Sequence, residues 1–155
     1  MKKNLLLICT LLVVLFSACR KDHSTEDFAA QQAIVDEGII KTYMQTNQIV
    51  GTRDASGLYY AVLSPGTGAF PTANSTVNVN YKGTFTDGTV FDAGNFTTVV
   101  SGNVIEGWKI GLPKINQGGR ILLMVPSALA YGPQGRSTIP ANKVLIFQID
   151  MLNIR

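Results

Sequence analysis

Hydrophobic and polar positions recur with two different periods along the chain. From Ser24 to about Asn47, apolar residues repeat at helical spacing, and charged or amide side chains fill the opposite face. After Gly57 the period falls to two, which is the period of β-strands. The pattern therefore predicts an N-terminal helical arm, residues 26–50, followed by a mainly β domain, residues 57–155.

Within the β domain, the segment TVNVNYKG (76–83) alternates cleanly between apolar and polar positions, and TDGT (86–89) is typical of a tight hairpin. Other apolar runs predict strands, at residues 58–63, 120–125 and 144–154. The stretch around Trp108 is the one place in this domain where a helix is predicted, and Pro113 opposes its continuation. We predict an α+β domain, in which an antiparallel sheet packs on one short helix.

The beginning of the chain is typical of a bacterial secretory signal. A short basic start is followed by the apolar run Leu5–Phe16, which is shorter than the roughly 17–25 residues of a membrane-spanning helix. Two small residues then precede Cys19, and this order resembles the lipobox of lipoprotein signals, whose cysteine becomes the acylated N-terminus. We expect a lipoprotein signal peptide at 1–18, lipidation of Cys19 and a tether at 19–25. The alternative is ordinary cleavage nearby, with Cys19 a free thiol.

Cysteine usage and charge limit the kinds of site and partner that this chain can have. If Cys9 leaves with the signal and Cys19 is lipidated, no cysteine remains for a disulfide, so the domain depends on its apolar core. Removal of Lys2 and Lys3 leaves 11 of the 13 basic residues against 10 acidic ones, a net charge of about +1, and no basic cluster suggests a nucleic-acid partner. The single histidine, His23, falls in the tether, so we expect neither a histidine-based catalytic group nor a metal site.

Aromatic and aliphatic residues lie close to glycines in three long motifs. These are VNYKGTFTDGTVFD (79–92), VIEGWKIGLPKINQGGRILLMVPSALAYG (104–132) and IPANKVLIFQIDML (139–152). Taken alone, such residues more often form a core than a ligand site. In their order and spacing, however, the motifs resemble the FKBP-type peptidyl-prolyl cis-trans isomerases over about residues 75–155.

The resemblance implies a half-open antiparallel sheet wrapped around a short helix, with a proline pocket between them. The residues that it implies for substrate binding are Tyr81, Phe91, Val104, Ile105, Trp108, Tyr131, Ile139 and Phe147. Trp108 is expected to form the pocket floor. Asp92, Tyr131 and Ile105 are implied as catalytic residues, the last two because the Tyr131 hydroxyl or the Ile105 N–H would hold a carbonyl beside the rotating bond. The segment after Asp92 lacks the basic residue that often pairs with this aspartate in the family.

An isomerase of this kind needs neither an acid nor a base, and we expect no cofactor. Rotation about an X-Pro bond is slow because twisting the amide breaks its resonance, with a barrier of roughly 18–20 kcal/mol. A dry aromatic pocket favours the twisted amide, which has less charge separation, and this is differential binding of the transition state. Two alternatives remain: a chaperone that binds unfolded chains without turnover, and a structural lipoprotein that uses the fold as a scaffold.

The implied partners are proline-containing envelope proteins that are unfolded or partly folded, the macrolides rapamycin and tacrolimus, and the membrane through lipidated Cys19. Arg20 stands where an aspartate often retains lipoproteins at the inner membrane, so the outer membrane is favoured. The broad apolar stripe of the arm has to be covered. We favour packing on the chain's own β domain over pairing with a second copy, as in the macrophage-infectivity-potentiator branch of the family.

Overall fold

The computed structural model describes residues 24–155, so the predictions for the signal peptide, Cys19 and His23 lie outside the described residues. These residues form helices α1 (Ser24–Thr46) and α2 (Glu106–Gly111), together with three short 3-10 turns. They also form strands β1 (Thr52–Arg53), β2 (Tyr59–Ser64), β3 (Thr76–Thr84), β4 (Val90–Val99), β5 (Arg120–Val125) and β6 (Leu145–Ile154). Helix α1 begins at Ser24, so the last two residues assigned to the tether are helical.

The six strands form one antiparallel sheet in the order β1-β2-β5-β6-β3-β4. The alternation predicted for β3 is confirmed, since Val77 and Val79 are buried whereas Asn80 and Lys82 are exposed. The predicted hairpin joins β3 to β4, and its Gly88 has a φ of 87°, a conformation that glycine adopts without a steric penalty. The open antiparallel sheet with one short helix confirms the predicted fold class.

The sequence predictions give no bounds for two of the strands. Strand β1 is only two residues long, too short to give a periodic pattern. Strand β4 lies at the sheet edge and is exposed along most of its length, so its apolar and polar residues do not alternate. Its hydrogen bonds to β3 make it a strand, with Phe96 paired to Val79.

One face of the sheet packs on α2. Trp108 and Leu112 are buried there against residues of β3, β5 and β6. Glycines on α2 allow this contact: a Cβ atom at Gly107 would lie 2.5 Å from Val125 Cγ1, and one at Gly111 would lie 2.5 Å from Leu123 Cδ1. The sequence "EGWKIG" therefore lets α2, and with it the tryptophan ring, lie close to the sheet, because Gly107 and Gly111 have no side chain where the helix meets β5.

The opposite face of the sheet is covered by α1, from residue 32 onward. Ile40 is fully buried there, and it packs in a cluster with Ala61 of β2, Leu122 and Met124 of β5 and Ile146 of β6. The arm thus packs on its own β domain through Ile40, whereas Ile34, Val35 and Ile39 of the predicted apolar stripe remain exposed. None of the helices within residues 24–155 is long and apolar enough to span a membrane.

Candidate active site

A cavity of about 620 Å³ opens between α2, the inner face of the β3–β4 hairpin and the segment that follows β5. All nine residues that the family resemblance implied for the site line this one cavity: Tyr81, Phe91, Asp92, Val104, Ile105, Trp108, Tyr131, Ile139 and Phe147. They come from five separate parts of the chain, and only the fold brings them together.

The floor of the cavity is an aromatic cluster centred on Trp108. Its ring meets those of Tyr81 and Phe147 edge to face, with centroids 5.3 and 5.5 Å away, and that of Phe96 at 6.3 Å. Such edge-to-face pairs stabilise a fixed ring arrangement beyond the area they bury. Trp108 is 5% exposed, and its Nε1–H has no hydrogen-bond partner among residues 24–155. The floor is therefore a set of packed aromatic rings that includes one N–H donor unpaired within the described residues.

One wall carries a hydrogen-bonded pair from the β3–β4 hairpin. The Tyr81 hydroxyl donates to Asp92 Oδ2 at 2.7 Å. Burial, followed by this hydrogen bond, raises the pKa of Tyr81 to about 12, so the hydroxyl stays protonated at neutral pH. Within the described part of the chain no lysine or arginine forms an ion pair with Asp92, in keeping with the missing basic residue in its own segment.

Hydrogen-bond donors lie on the rim. Ile105 immediately precedes α2, where its carbonyl accepts hydrogen bonds from the backbone of Trp108 and Lys109, while its own N–H has no partner in residues 24–155. Half-buried Tyr131 lies after β5, and its hydroxyl likewise makes no hydrogen bond within the described residues. The guanidinium of Arg136 lies 5.6 Å from the Tyr131 ring centroid, within cation–π distance.

The structure also shows cavity residues that sequence reasoning missed: Phe96, Asn103, Glu106, Ala130, Arg136, Ser137 and Thr138. Phe96 lies on β4, whose pattern predicted no strand; only its pairing with β3 directs the ring toward Trp108. Arg136 and Ile139 exchange two backbone hydrogen bonds of 2.9 and 2.8 Å, which fold this loop back on itself and bring both residues to the cavity rim. The compact spacing GPQGRSTIP was the available signal for that turn.

This arrangement suits binding rather than acid–base or nucleophilic chemistry. The floor can accept a small apolar ring, and the rim presents N–H and O–H groups to a polar group attached to that ring. The chemistry that remains open to such a site is the stabilisation of one conformation of a bound molecule over another.

Comparisons with known proteins agree on a family. A family model described as FKBP-type peptidyl-prolyl cis-trans isomerase matches residues 67–152. The chain is 45% identical over 103 residues to the FKBP-type peptidyl-prolyl cis-trans isomerase FkpA of Aeromonas hydrophila, a match covering 64% of this chain and 38% of that protein. It is 41% identical over 105 residues to the outer membrane protein MIP of Legionella longbeachae, covering 64% of this chain and 45% of that protein.

The structural comparison extends further along the chain. The crystal structure of FkpA from Escherichia coli superposes with a TM-score of 0.70 at 32% identity, covering 95% of this chain and 71% of that one. In the sequence comparisons, by contrast, the chain spans about two fifths to half of the length of the curated relatives it matches.

Proposed function

Because the chain belongs to the family of FKBP-type peptidyl-prolyl cis-trans isomerases, we propose that its cavity binds a proline residue of a protein chain and accelerates cis–trans isomerisation of the preceding bond. The observation that carries this proposal is the convergence of all nine expected residues on one aromatic cavity. The substrates are proline-containing segments of unfolded or partly folded proteins.

The proposed mechanism follows from the geometry of the cavity. The proline ring lies on the indole of Trp108, between the rings of Tyr81 and Phe147, which are held edge to face against the indole. A ring fixed there leaves the preceding residue free to rotate, so the bound chain can twist about the amide bond. The apolar surroundings stabilise the twisted amide relative to the planar one, because the twisted amide has less charge separation.

The rim donors hold the flanking carbonyl. The Ile105 N–H and the Tyr131 hydroxyl are both unpartnered within the described residues, so a substrate oxygen that accepts from either one does not displace a protein hydrogen bond. Asp92 accepts a hydrogen bond from the Tyr81 hydroxyl, which orients that ring and leaves the carboxylate at the cavity edge. We assign the catalytic roles to Ile105, Tyr131 and Asp92, and substrate binding to the aromatic and aliphatic lining.

Refolding of a protein that is limited by proline isomerisation tests this function. The uncatalysed slow phase takes on the order of tens to hundreds of seconds, and a catalytic amount of this protein should shorten it. Trp108→Leu, which removes the floor, is the matched inactive variant. If the protein binds the refolding substrate and leaves the slow phase unchanged, the site is that of a non-catalytic chaperone instead.

We also propose that the protein works in the bacterial cell envelope as a lipoprotein of the outer membrane. The apolar run Leu5–Phe16, the small residues before Cys19 and the absence of an aspartate after it support this placement. The name of a relative, the outer membrane protein MIP of Legionella longbeachae, points the same way.

Rapamycin and tacrolimus are proposed ligands, whose binding over Trp108 should quench its fluorescence.

A further inference from the structure

Asp36 is a buried carboxylate outside the cavity, and the chemistry proposed above does not use it. It lies in the middle of α1 and is 1% exposed. Its Oδ2 accepts hydrogen bonds from the Ser127 backbone N–H at 2.7 Å and from Ser127 Oγ at 2.6 Å, and its Oδ1 accepts one from Gln32 Nε2 at 2.7 Å. Within the described range 24–155 no lysine or arginine forms an ion pair with it. A buried carboxylate is costly unless it is fully hydrogen-bonded, so these three bonds define its environment.

Ser127 connects this carboxylate to the cavity rim. It is itself 1% exposed, and it starts a 3-10 turn, Ser127–Leu129, just beyond the end of β5. The Ala130 N–H donates to the Ser127 carbonyl at 3.0 Å, and Tyr131 follows directly. At the far end of this segment, the Gly132 carbonyl accepts a hydrogen bond from the Asn142 N–H at 2.8 Å. The segment that carries Tyr131 is therefore hydrogen-bonded at both ends, and Asp36 accepts the two bonds that fix its first residue, Ser127.

We propose that Asp36 is a positioning residue for the cavity: through Ser127 it fixes the turn that presents Tyr131 to the substrate. Hydrogen bonds to an ionised carboxylate are about twice as strong as neutral ones, which suits them to holding a turn in one conformation. Helix α1 then helps to position the cavity rim and is more than a spacer. The kinetic test of this proposal rests on the proposed isomerase function.

Helix α1 has a second, separable attachment to the sheet, which provides the control. Ile40 packs one turn further along α1 against β2, β5 and β6, and it contributes only apolar contacts. Loss of a methylene at Ile40 weakens the attachment of the helix and leaves both hydrogen bonds to Ser127 in place. Ile40→Val and Asp36→Asn therefore both loosen α1, but only the second weakens the hydrogen bonds that hold the turn.

Asp36→Asn keeps the size of the side chain and removes its charge. An amide can place its one oxygen where Oδ2 lies, but both Ser127 bonds then go to a neutral acceptor and lose their charge-assisted strength, and no oxygen remains to accept from Gln32. Ser127→Ala is the second variant: it deletes the Oγ bond and keeps the backbone bond, so the domain still folds. The full-length protein, both variants and Ile40→Val are compared by thermal melting, by kcat and KM on a Leu-Pro tetrapeptide, and by the Kd of that peptide from Trp108 fluorescence.

At a temperature well below the melting temperatures of both variants, we expect Asp36→Asn and Ser127→Ala to lower kcat/KM by about three- to tenfold, the size of effect that one weakened hydrogen bond gives. Ile40→Val should lower the melting temperature and leave kcat/KM unchanged. In a Tyr131→Phe background, Asp36→Asn should cause little further loss, because both changes act through the same hydroxyl.

If Ile40→Val and Asp36→Asn lower the melting temperature by the same amount and also lower kcat/KM by the same factor, the proposal is wrong. Full additivity with Tyr131→Phe would do so as well. If the wild-type protein binds the peptide without turnover, the isomerase function fails, and the same comparison made on Kd decides the positioning role. If it binds no peptide, amide hydrogen exchange across residues 128–135 decides it: faster exchange in Asp36→Asn than in Ile40→Val supports the hold, and equal exchange refutes it.

Discussion

At the scale of single residues, the cavity depends on where small side chains allow large ones to lie. A Cβ atom at Gly83 would lie 2.6 Å from Phe91 Cζ, so the Phe91 ring can cross β3 only because position 83 is glycine. Gly107 does the same for α2 against Val125. The rings around Trp108 take their places because the glycines beside them leave room, which is the physical basis of the glycine-rich motifs.

The roles of the polar rim residues are testable one atom at a time. Tyr131→Phe removes a hydroxyl with no partner in residues 24–155, so we expect kcat/KM to fall by about three- to tenfold, the value of one hydrogen bond to the substrate, while the melting temperature stays nearly unchanged. Asp92→Ala should also lower turnover, because it frees the Tyr81 hydroxyl, and it should cost about 0.5–1.5 kcal/mol of stability or less. Peptide-isomerisation kinetics and thermal melting measure both effects.

Tyr60→Phe is the matched control, since Tyr60 packs against the core beneath Lys114 and does not line the cavity. It should leave turnover unchanged. Activity and folding that fall in parallel for Tyr131→Phe would assign this hydroxyl a structural role only.

At the scale of elements, the sheet is covered on both faces, and the two covering helices do different work. Helix α2 fills one face and supplies the cavity floor, whereas α1 covers the other face through Ile40 and is joined by Asp36 to the turn after β5. Around the start of β2, the residues that face either side of the sheet are therefore apolar. Leu58, just before the strand, packs on the α2 side, whereas Tyr59 and Ala61 pack on the α1 side. Strand β2 could not show a clean two-residue alternation, because neither face meets water at its start.

Helix α1 should therefore contribute measurably to the stability of the domain. We expect Ile40→Ala to lower the free energy of unfolding by about 2–5 kcal/mol, the range for deleting a buried isoleucine side chain. Ile34→Ala, on the same helix but with a side chain that is 73% exposed, should change it by about 0.5 kcal/mol or less. Urea unfolding curves of both variants measure the difference. A large loss for Ile34→Ala that depends on protein concentration would instead indicate that a second copy covers this face.

At the scale of the whole molecule, we propose that the protein joins an isomerase domain to a lipid anchor. We expect Cys19→Ser to release the protein from the membrane fraction and to abolish incorporation of labelled fatty acid, because several acyl chains on one residue anchor stably. Cys9→Ser is the control, since this cysteine lies in the predicted signal peptide and should not affect anchoring. Cell fractionation measures both; Cys19→Ser protein that stays in the membrane fraction would contradict the lipid anchor.

The sequence by itself determined the elements that have a period and the residues that form long motifs. The arm and strand β3 follow from a repeated apolar face, because burial of one face imposes its period wherever the other face meets water. Strands β2, β5 and β6 follow from short apolar runs instead. The nine cavity residues were identified through motifs, in which spacing and residue type are visible along the chain.

Only the tertiary structure decided features that depend on contacts between distant residues. Phe96 reaches the cavity through the register of β4 on β3, Arg136 reaches it through a folded loop, and Asp36 meets Ser127 across 91 residues of chain. Such contacts leave no period in the sequence, because each is a single pairing and not a repeated face. A lone aspartate on an amphipathic helix is ordinarily solvated. Asp36 is buried instead, and its carboxylate joins α1 to the turn after β5.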